Sequence, residues 1–232
     1  MLAAVHDERL RRSGRFIDTR FPDEGPLRRE LYVKHLEFFR AGAVHRERLF
    51  LAGNRCAKSD TGCYEDTVHL TGDYPSWWEG RRFACPIEAW VAGDTSLTVR
   101  DILQAKLLGK WGEFGTGFIP RDAIVHWTAK RGVPDTVDTV FVKNIAGGVS
   151  SLGFKSYAEG RQNFQGTAKH VIHLDEEPPL DVAVECIVRT MIVPGCADGG
   201  LLFITETPVN GWGEVIEMFL GGNASQNDTV EA

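Results

Sequence analysis

The sequence predicts an α/β domain with a mostly parallel, twisted central sheet flanked by helices, and three observations predict it. Apolar runs at residues 48–52, 87–92, 170–175 and 200–205 have the length of buried strands. Stretches with helical spacing of apolar residues follow them, at 61–70, 97–107 and 180–191. This alternation of strand, loop and helix is what a parallel sheet requires, because parallel neighbours need long crossovers. With 232 residues, 43% of them apolar, the chain can fill a sizeable core.

Residues 1–30 are rich in Arg, Asp and Glu, are punctuated by Pro22 and Pro26, and read as an arm or assembly surface. Leu31, Leu36, Phe38 and Phe39, closed by Gly42, predict a short amphipathic helix. The run from Arg48 passes through a turn into helix 61–70. Thr95 or Ser96 caps the next helix, in which Leu97, Ile102, Leu103 and Leu107 recur near the helical period before Gly109. Residues 110–122, rich in Gly and aromatic side chains, predict a long surface loop. Segments 124–128, 139–143 and 151–156 alternate like antiparallel or edge strands that extend the sheet. The small, polar residues 221–232 predict a frayed tail, which leaves 31–220 as the domain proper.

Composition excludes several classes. With 26 Lys plus Arg against 32 Asp plus Glu, the net charge of -6 argues against a free-standing polybasic nucleic-acid binder but leaves room for a locally basic groove. No run approaches the roughly 18 apolar residues of a membrane span, and the N-terminus lacks the apolar core of a secretion signal, so a soluble, intracellular chain is expected. The five cysteines contain no C-x-x-C pair and predict free thiols rather than disulfides or zinc.

Two motifs carry chemistry. Ala52-Gly53-Asn54-Arg55-Cys56-Ala57-Lys58-Ser59 fits a phosphate-binding P-loop at its last two positions, with Ala at both places that usually hold Gly. A turn between a strand and a helix N-terminus aims backbone N–H groups and the helix dipole at one anion. Lys58 would then reach the β- and γ-phosphates of ATP, and Ser59 would ligate Mg²⁺. Downstream, His170-Val-Ile-His-Leu-Asp175-Glu176 is an apolar strand ending in adjacent carboxylates. Asp175 would hold the Mg²⁺ through water, and Glu176 would act as general base on the attacking water. The order of the two motifs predicts a P-loop NTPase of the additional-strand (ASCE, RecA-like) class, with nucleotide at the C-terminal edge of the strands. No role is assigned to Glu177.

These residues resemble the ATPase domain of tailed-phage terminase large subunits, from about Leu31 to about Gly211. Four blocks carry the resemblance: the loop with its internal Arg55, Ser156-Tyr-Ala-Glu-Gly-Arg-Gln-Asn-Phe-Gln-Gly166, the Val171–Pro179 acidic block, and Leu202-Phe-Ile-Thr-Glu-Thr207-Pro, which is similar to the family's coupling motif. The resemblance implies a motor that hydrolyses Mg-ATP to drive double-stranded DNA into a procapsid in the host cytoplasm. Its partners would be the portal, the small terminase subunit and further copies in a ring. Arg55 would sit beside the γ-phosphate, and Thr205 and Thr207 would couple hydrolysis to motion. The loop from Gly53 to Ser59, with Asp60, would line the nucleotide. Tyr32 and His35 fall where relatives hold the adenine, with a purely structural helix role as the alternative. Arg100 is a candidate for completing a neighbouring subunit's site, or an ordinary solvated Arg.

Ala57 departs from the family's Gly, and a Cβ there would cost about 1–2 kcal/mol if the backbone needs a positive φ. This opens a second reading, a nucleotide-binding but hydrolysis-impaired assembly module. A helicase-like ATPase is a third, but helicase motifs are not found. The family's C-terminal nuclease has no counterpart after Gly221, so a motor domain alone is expected. Trp77, Trp78, Trp111, Trp127 and Trp212 read as core or loop packing rather than base-stacking platforms. His126, His170 and His173 read as structural or partner-facing. Arg81, Arg82, Lys106, Lys110, Lys130 and Arg131 are candidates for DNA-backbone contact, or solvated side chains.

Overall fold

The computed structural model describes residues 15–208, 211–221 and, for the backbone, 228–231. Its centre is an eight-stranded sheet in the order β3-β4-β5-β2-β6-β7-β1-β8. The strands are β1 Glu47–Leu51, β2 Glu88–Gly93, β3 Ile124–Ala129, β4 Val137–Lys143, β5 Val149–Ser156, β6 Val171–Asp175, β7 Leu201–Glu206 and β8 Asp228–Glu231. From β5 to β8 every pair is parallel, while β3, β4 and β5 form an antiparallel meander at one edge. The alternating segments thus extend the sheet as their pattern implied. Among the described residues, no helix is long and apolar enough to cross a membrane.

Among the described residues, four helices flank the sheet, α1 Val33–Ala41, α2 Lys58–Thr71, α3 Leu180–Met191 and α4 Glu214–Leu220, with a composite helix at 96–107. One face buries Phe38, Phe50, Tyr64, Leu103 and Phe203, and the other buries Leu49, Ile172, Ala183, Leu202 and Ile216. Strands β6 and β7 are buried along their whole length, as parallel strands covered on both faces must be. Helix α2 connects β1 to β2 and so crosses over β7 and β6. That path sets its buried face against the C-terminal halves of both strands.

Three sequence expectations need correction. Of the segment 1–30 read as an arm or assembly surface, residues 1–14 lie outside the described residues and 15–30 pack on the domain: Phe16 is buried against Phe118, and Phe21 packs among Tyr32, Phe39, Tyr64 and Trp77. Aromatic residues spaced too widely to show helical periodicity drive this docking. The predicted tail contains β8, whose backbone adds a parallel edge strand to β1. Finally, the helix that Thr95 caps, accepting a hydrogen bond from the Thr98 N–H, is not regular. Residues 99–104 are a π-turn segment, so Val99, Leu103 and Leu107 face inward while Leu97 and Ile102 are exposed. Gln104 is drawn inward to donate to the Asp135 carbonyl and accept from the Val137 N–H.

Beneath α2 lies a buried ion pair. Arg48 on β1 meets Glu65 at 2.6 and 3.2 Å and donates to the Phe38 carbonyl, with both residues at most 1% exposed. Burial pushes the Glu65 carboxyl upward, but Arg48 and His69 outweigh it and hold the group below the ordinary carboxylate range. This contribution is therefore present above that range and is lost as pH falls through it. Arg48→Ala leaves Glu65 buried with only His69 beside it, and is expected to lower unfolding free energy by about 3–5 kcal/mol in denaturant titrations near pH 7. The gap from the parent should narrow as pH falls into the acid range in which Glu65 takes up a proton.

Candidate nucleotide-binding site

The turn between β1 and α2 begins with the Ala52 N–H donating to the Glu206 carbonyl, 3.1 Å away. Gly53 to Ala57 are then exposed, and α2 starts at Lys58. No side chain caps this helix, so its first N–H groups are directed at the mouth of the turn. Ala57, the residue before Lys58, has φ +58°, and Arg55 has φ +64°. The positive φ that a family glycine would supply is thus adopted by an alanine. Lys58 is buried and folds back across the turn, its Nζ donating to the Gly53 carbonyl at 2.9 Å.

Facing the turn is the end of β6. Ser59 Oγ donates to Asp175 Oδ2 at 3.1 Å, and Thr205 Oγ1 donates to Asp175 Oδ1 at 2.6 Å. Residues 116 apart in sequence are therefore in direct contact, as the two motifs required. Ser59 and Asp175 offer hard oxygen ligands at the start of a helix, a donor set that suits a magnesium ion shared with phosphate and water. Glu176, at φ +62°, is exposed and accepts from the Thr207 N–H at 3.2 Å. Partial burial raises its carboxyl above the ordinary range, against the lowering effect of the Thr207 N–H and Lys58. Thr205 and Thr207 thus both contact the acidic pair directly. Glu177 is exposed and lies against Gly213.

Tyr32 and His35 also reach this edge. His35 Nε2 lies 2.9 Å from the Cys56 carbonyl, and the Tyr32 and His35 rings meet edge to face at 5.4 Å. Burial lowers the His35 pKa, favouring a neutral ring. With Phe21, Ala57, Asp60 and Thr61 they line a cavity of about 60 Å³ beside the phosphate turn. Asp60 itself turns towards the composite helix, where it pairs with Lys106 and lies 3.9 Å from Arg20.

Other candidates lie apart. Arg100 pairs with its neighbour Asp101 at 2.7 Å and reaches the Pro134 carbonyl, and neither partner belongs to the phosphate turn. Of the six basic residues considered for DNA, Arg81 and Arg82 donate to the Gly199 and Trp78 carbonyls, while Lys106 and Lys130 pair with Asp60 and Glu159. Lys110 and Arg131 are exposed. His173 is not partner-facing; it is fully buried between Asp66 and Thr205.

Four residues around the acidic pair were given no site role by the motifs, although Tyr157, His173 and Glu206 fall inside the motif blocks. Tyr157 brings its hydroxyl within 3.1 Å of the Asp175 carbonyl and 3.3 Å of the Glu176 carbonyl, bracing the acidic turn from below. Asp66 and His173 hold Thr205 from the far side. Burial raises the Asp66 carboxyl; burial also opposes charge on His173, but Asp66 beside it outweighs this and raises the ring. Glu206, between Thr205 and Thr207, is 1% exposed, and its Oε2 has no hydrogen-bond partner. Burial, reinforced by Glu177 and Glu176, pushes its carboxyl up to about 7. For Asp66 the only sequence signal was a polar side chain at an inward helix position; the other three sit inside motif blocks whose pattern assigns them no contact.

Two outcomes follow from this geometry. Ala57→Gly removes a left-handed alanine and should raise stability by about 1 kcal/mol, seen as a melting temperature roughly 2–4 °C higher. A raised carboxyl stabilises below its unfolded pKa and loses that contribution as pH rises through about 7. In thermal melts, Glu206→Gln should therefore gain stability relative to the parent between pH 5 and pH 8.

Comparison with known proteins agrees with this architecture. Residues 49–223 match the family described as "Terminase large subunit, T4likevirus-type, N-terminal". The chain is 35% identical over 219 residues to the terminase large subunit of Salmonella phage P22, covering 86% of this chain and 43% of that protein. The large terminase of a thermophilic bacteriophage superposes with a TM-score of 0.54 at 12% identity, over 86% of this chain and 44% of that one. The complex of that same phage terminase with ADP gives 0.52 at the same identity and coverage. The chain spans less than half the length of these relatives. The fold is that of the P-loop NTPases, and the chain belongs to the N-terminal domain family of phage terminase large subunits.

Proposed function

We propose that this domain hydrolyses Mg-ATP and, within the complete terminase, drives double-stranded DNA into a procapsid. The contact of Ser59 with Asp175 at 3.1 Å, opposite an uncapped helix N-terminus and beside Glu176, carries this reading. Family membership, and the ADP bound by the thermophilic-phage relative, support nucleotide as the ligand.

The backbone N–H groups from Gly53 to Ser59 cradle the phosphates, and Lys58 exchanges the Gly53 carbonyl for phosphate oxygens when nucleotide binds. Ser59 and Asp175 would hold Mg²⁺, which when bound would neutralise charge on the phosphates. Glu176 accepts a proton from water as the water oxygen bonds to the γ-phosphorus and the bond to the β–γ bridging oxygen breaks, releasing ADP and phosphate. Arg55 stands at the rim of the turn to offset charge in the transition state. Tyr32 and His35 border the base. Thr205 and Thr207, bonded to Asp175 and Glu176, pass a change at the acidic pair into β7 and the segment after it. Contacts to DNA would be mostly to phosphates and largely independent of sequence, with further copies of the chain in a ring, the portal and the small terminase subunit as partners. Arg100 remains the candidate for completing a neighbour's site.

A second reading has its own observation. Ala57 at φ +58° places a Cβ at the mouth of the turn, which favours a module that binds nucleotide and turns it over poorly. ATP turnover by the parent, Ala57→Gly, and Glu176→Gln in each background separates the two. The motor reading expects hydrolysis that Glu176→Gln lowers by about 10²-fold or more while ADP binding persists. Hydrolysis that is undetectable in the parent and appears only with Ala57→Gly supports the impaired module. Turnover indifferent to Glu176 in both backgrounds rejects both.

A further inference from the structure

Behind the acidic pair, four side chains from three elements form one hydrogen-bonded line. Asp66 Oδ2 on α2 lies 2.7 Å from His173 Nδ1 on β6, and His173 Nε2 lies 3.0 Å from Thr205 Oγ1 on β7. Thr205 in turn donates to Asp175 Oδ1 at 2.6 Å. Asp66, His173 and Thr205 are wholly buried. A threonine hydroxyl has one proton, and here it points at Asp175; its oxygen can therefore only accept from His173. The Nε2 atom must carry hydrogen, whichever of Nδ1 and Asp66 holds the other proton.

The imidazole also has only one place to lie. It stacks on Phe203 at 4.7 Å, and its other side fills the space left by Gly62, where a Cβ would overlap Cε1 and Nε2. A glycine in the interior of a helix weakens it, and this one makes room for the ring.

We infer that His173 is a positioning residue: through its Nε2–H it fixes the Thr205 hydroxyl as a donor to Asp175, so that the opposite carboxylate oxygen is presented to Ser59, while Asp66 orients His173. The hydrogen-bond geometry stands by itself, whereas its consequence for metal-dependent nucleotide binding rests on the Mg-ATP reading of the site. Without the Nε2–H, the Thr205 hydroxyl is free to turn away, and Asp175 keeps one anchor of two.

The amide side chains of Asn and Gln test this, because each copies one nitrogen of the ring. Asn places its amide near Nδ1 and keeps the contact with Asp66; Gln places its amide near Nε2 and keeps the contact with Thr205. The whole 232-residue chain, His173→Asn, His173→Gln and Thr205→Val are titrated with a fluorescent ADP analogue in Mg²⁺ and in EDTA. Positioning through Nε2 predicts that the gain in affinity on adding Mg²⁺ shrinks about tenfold, the worth of one charge-assisted hydrogen bond, in His173→Asn and Thr205→Val. His173→Gln should restore it, and affinities in EDTA should be alike throughout. The reverse ranking, with Asn retaining the gain and Gln losing it, would mean that His173 serves only as a buried partner for Asp66, and overturns the inference. Equal behaviour of Asn and Gln overturns it too. On the parent chain, ¹⁵N NMR of the imidazole supplies a readout independent of nucleotide. A slowly exchanging Nε2–H supports the assignment, and an unprotonated Nε2 refutes it even if the variants fail to fold. A parent whose ADP affinity ignores Mg²⁺ defeats the reading of the site, and leaves the hydrogen-bond chain to stand or fall on the Nε2–H signal.

Discussion

Asp175 holds the site together because its two oxygens are engaged by different elements. One accepts from Ser59 at the start of α2, and the other from Thr205 near the end of β7. The parallel order β6-β7-β1 brings the C-terminal ends of these strands side by side, and α2 leaves the third of them to cross over the other two. A carboxylate at the end of β6 is then the one group that both hydroxyls can reach. Everything chemical in the domain is arranged around that clasp: the exposed turn on one side, Glu176 next in sequence, Tyr157 bracing the backbone below.

Helix α2 explains why such a site tolerates so much buried polarity. It is enclosed by the sheet, the composite helix and the docked segment 15–30, so Thr61, Glu65, Asp66, Thr67, His69 and Thr71 are all interior. Each polar group needs a partner, and most have one. Glu65 meets Arg48 and His69, Asp66 meets His173, and the three threonine hydroxyls donate to carbonyls one turn back in the helix. Such a polar layer is only as stable as its weakest pairing, since a group left alone in low dielectric loses its solvation outright. The pairing is incomplete at Asp66 Oδ1 and Arg48 Nε, and, on neighbouring β7, at Glu206, whose unpartnered oxygen lies among other carboxylates.

Backbone strain collects at the same edge. Among the described residues, five that are not glycine have positive φ, and three of them, Arg55, Ala57 and Glu176, belong to the turn or the acidic pair. L-residues adopt that conformation at a cost, and it persists where surrounding structure enforces it, commonly at ligand sites. Here β1, α2, β6 and α3 are all anchored in the core, so the short segments from β1 to α2 and from β6 to α3 absorb the mismatch.

The order of elements, the buried strands and the pairing of an Ala-Lys-Ser turn with a distant Asp-Glu were legible because they depend on local periodicity and on two short motifs whose chemistry is conventional. The α/β class and the contact between Ser59 and Asp175 followed from these. By contrast, the docking of Phe16 and Phe21, the π-turns at 99–104 and the edge strand at 228–231 depend on contacts distant in sequence that leave no periodic trace. The same holds for Asp66, His173, Tyr157 and Glu206, which look like ordinary polar residues until the chain is folded. Sequence alone determined which segments bury and where the turn between β1 and α2 would lie, since burial follows side-chain pattern. Only tertiary structure decided which buried polar groups face one another, because hydrogen bonding is directional and its partners come from strands and helices that meet only in the fold.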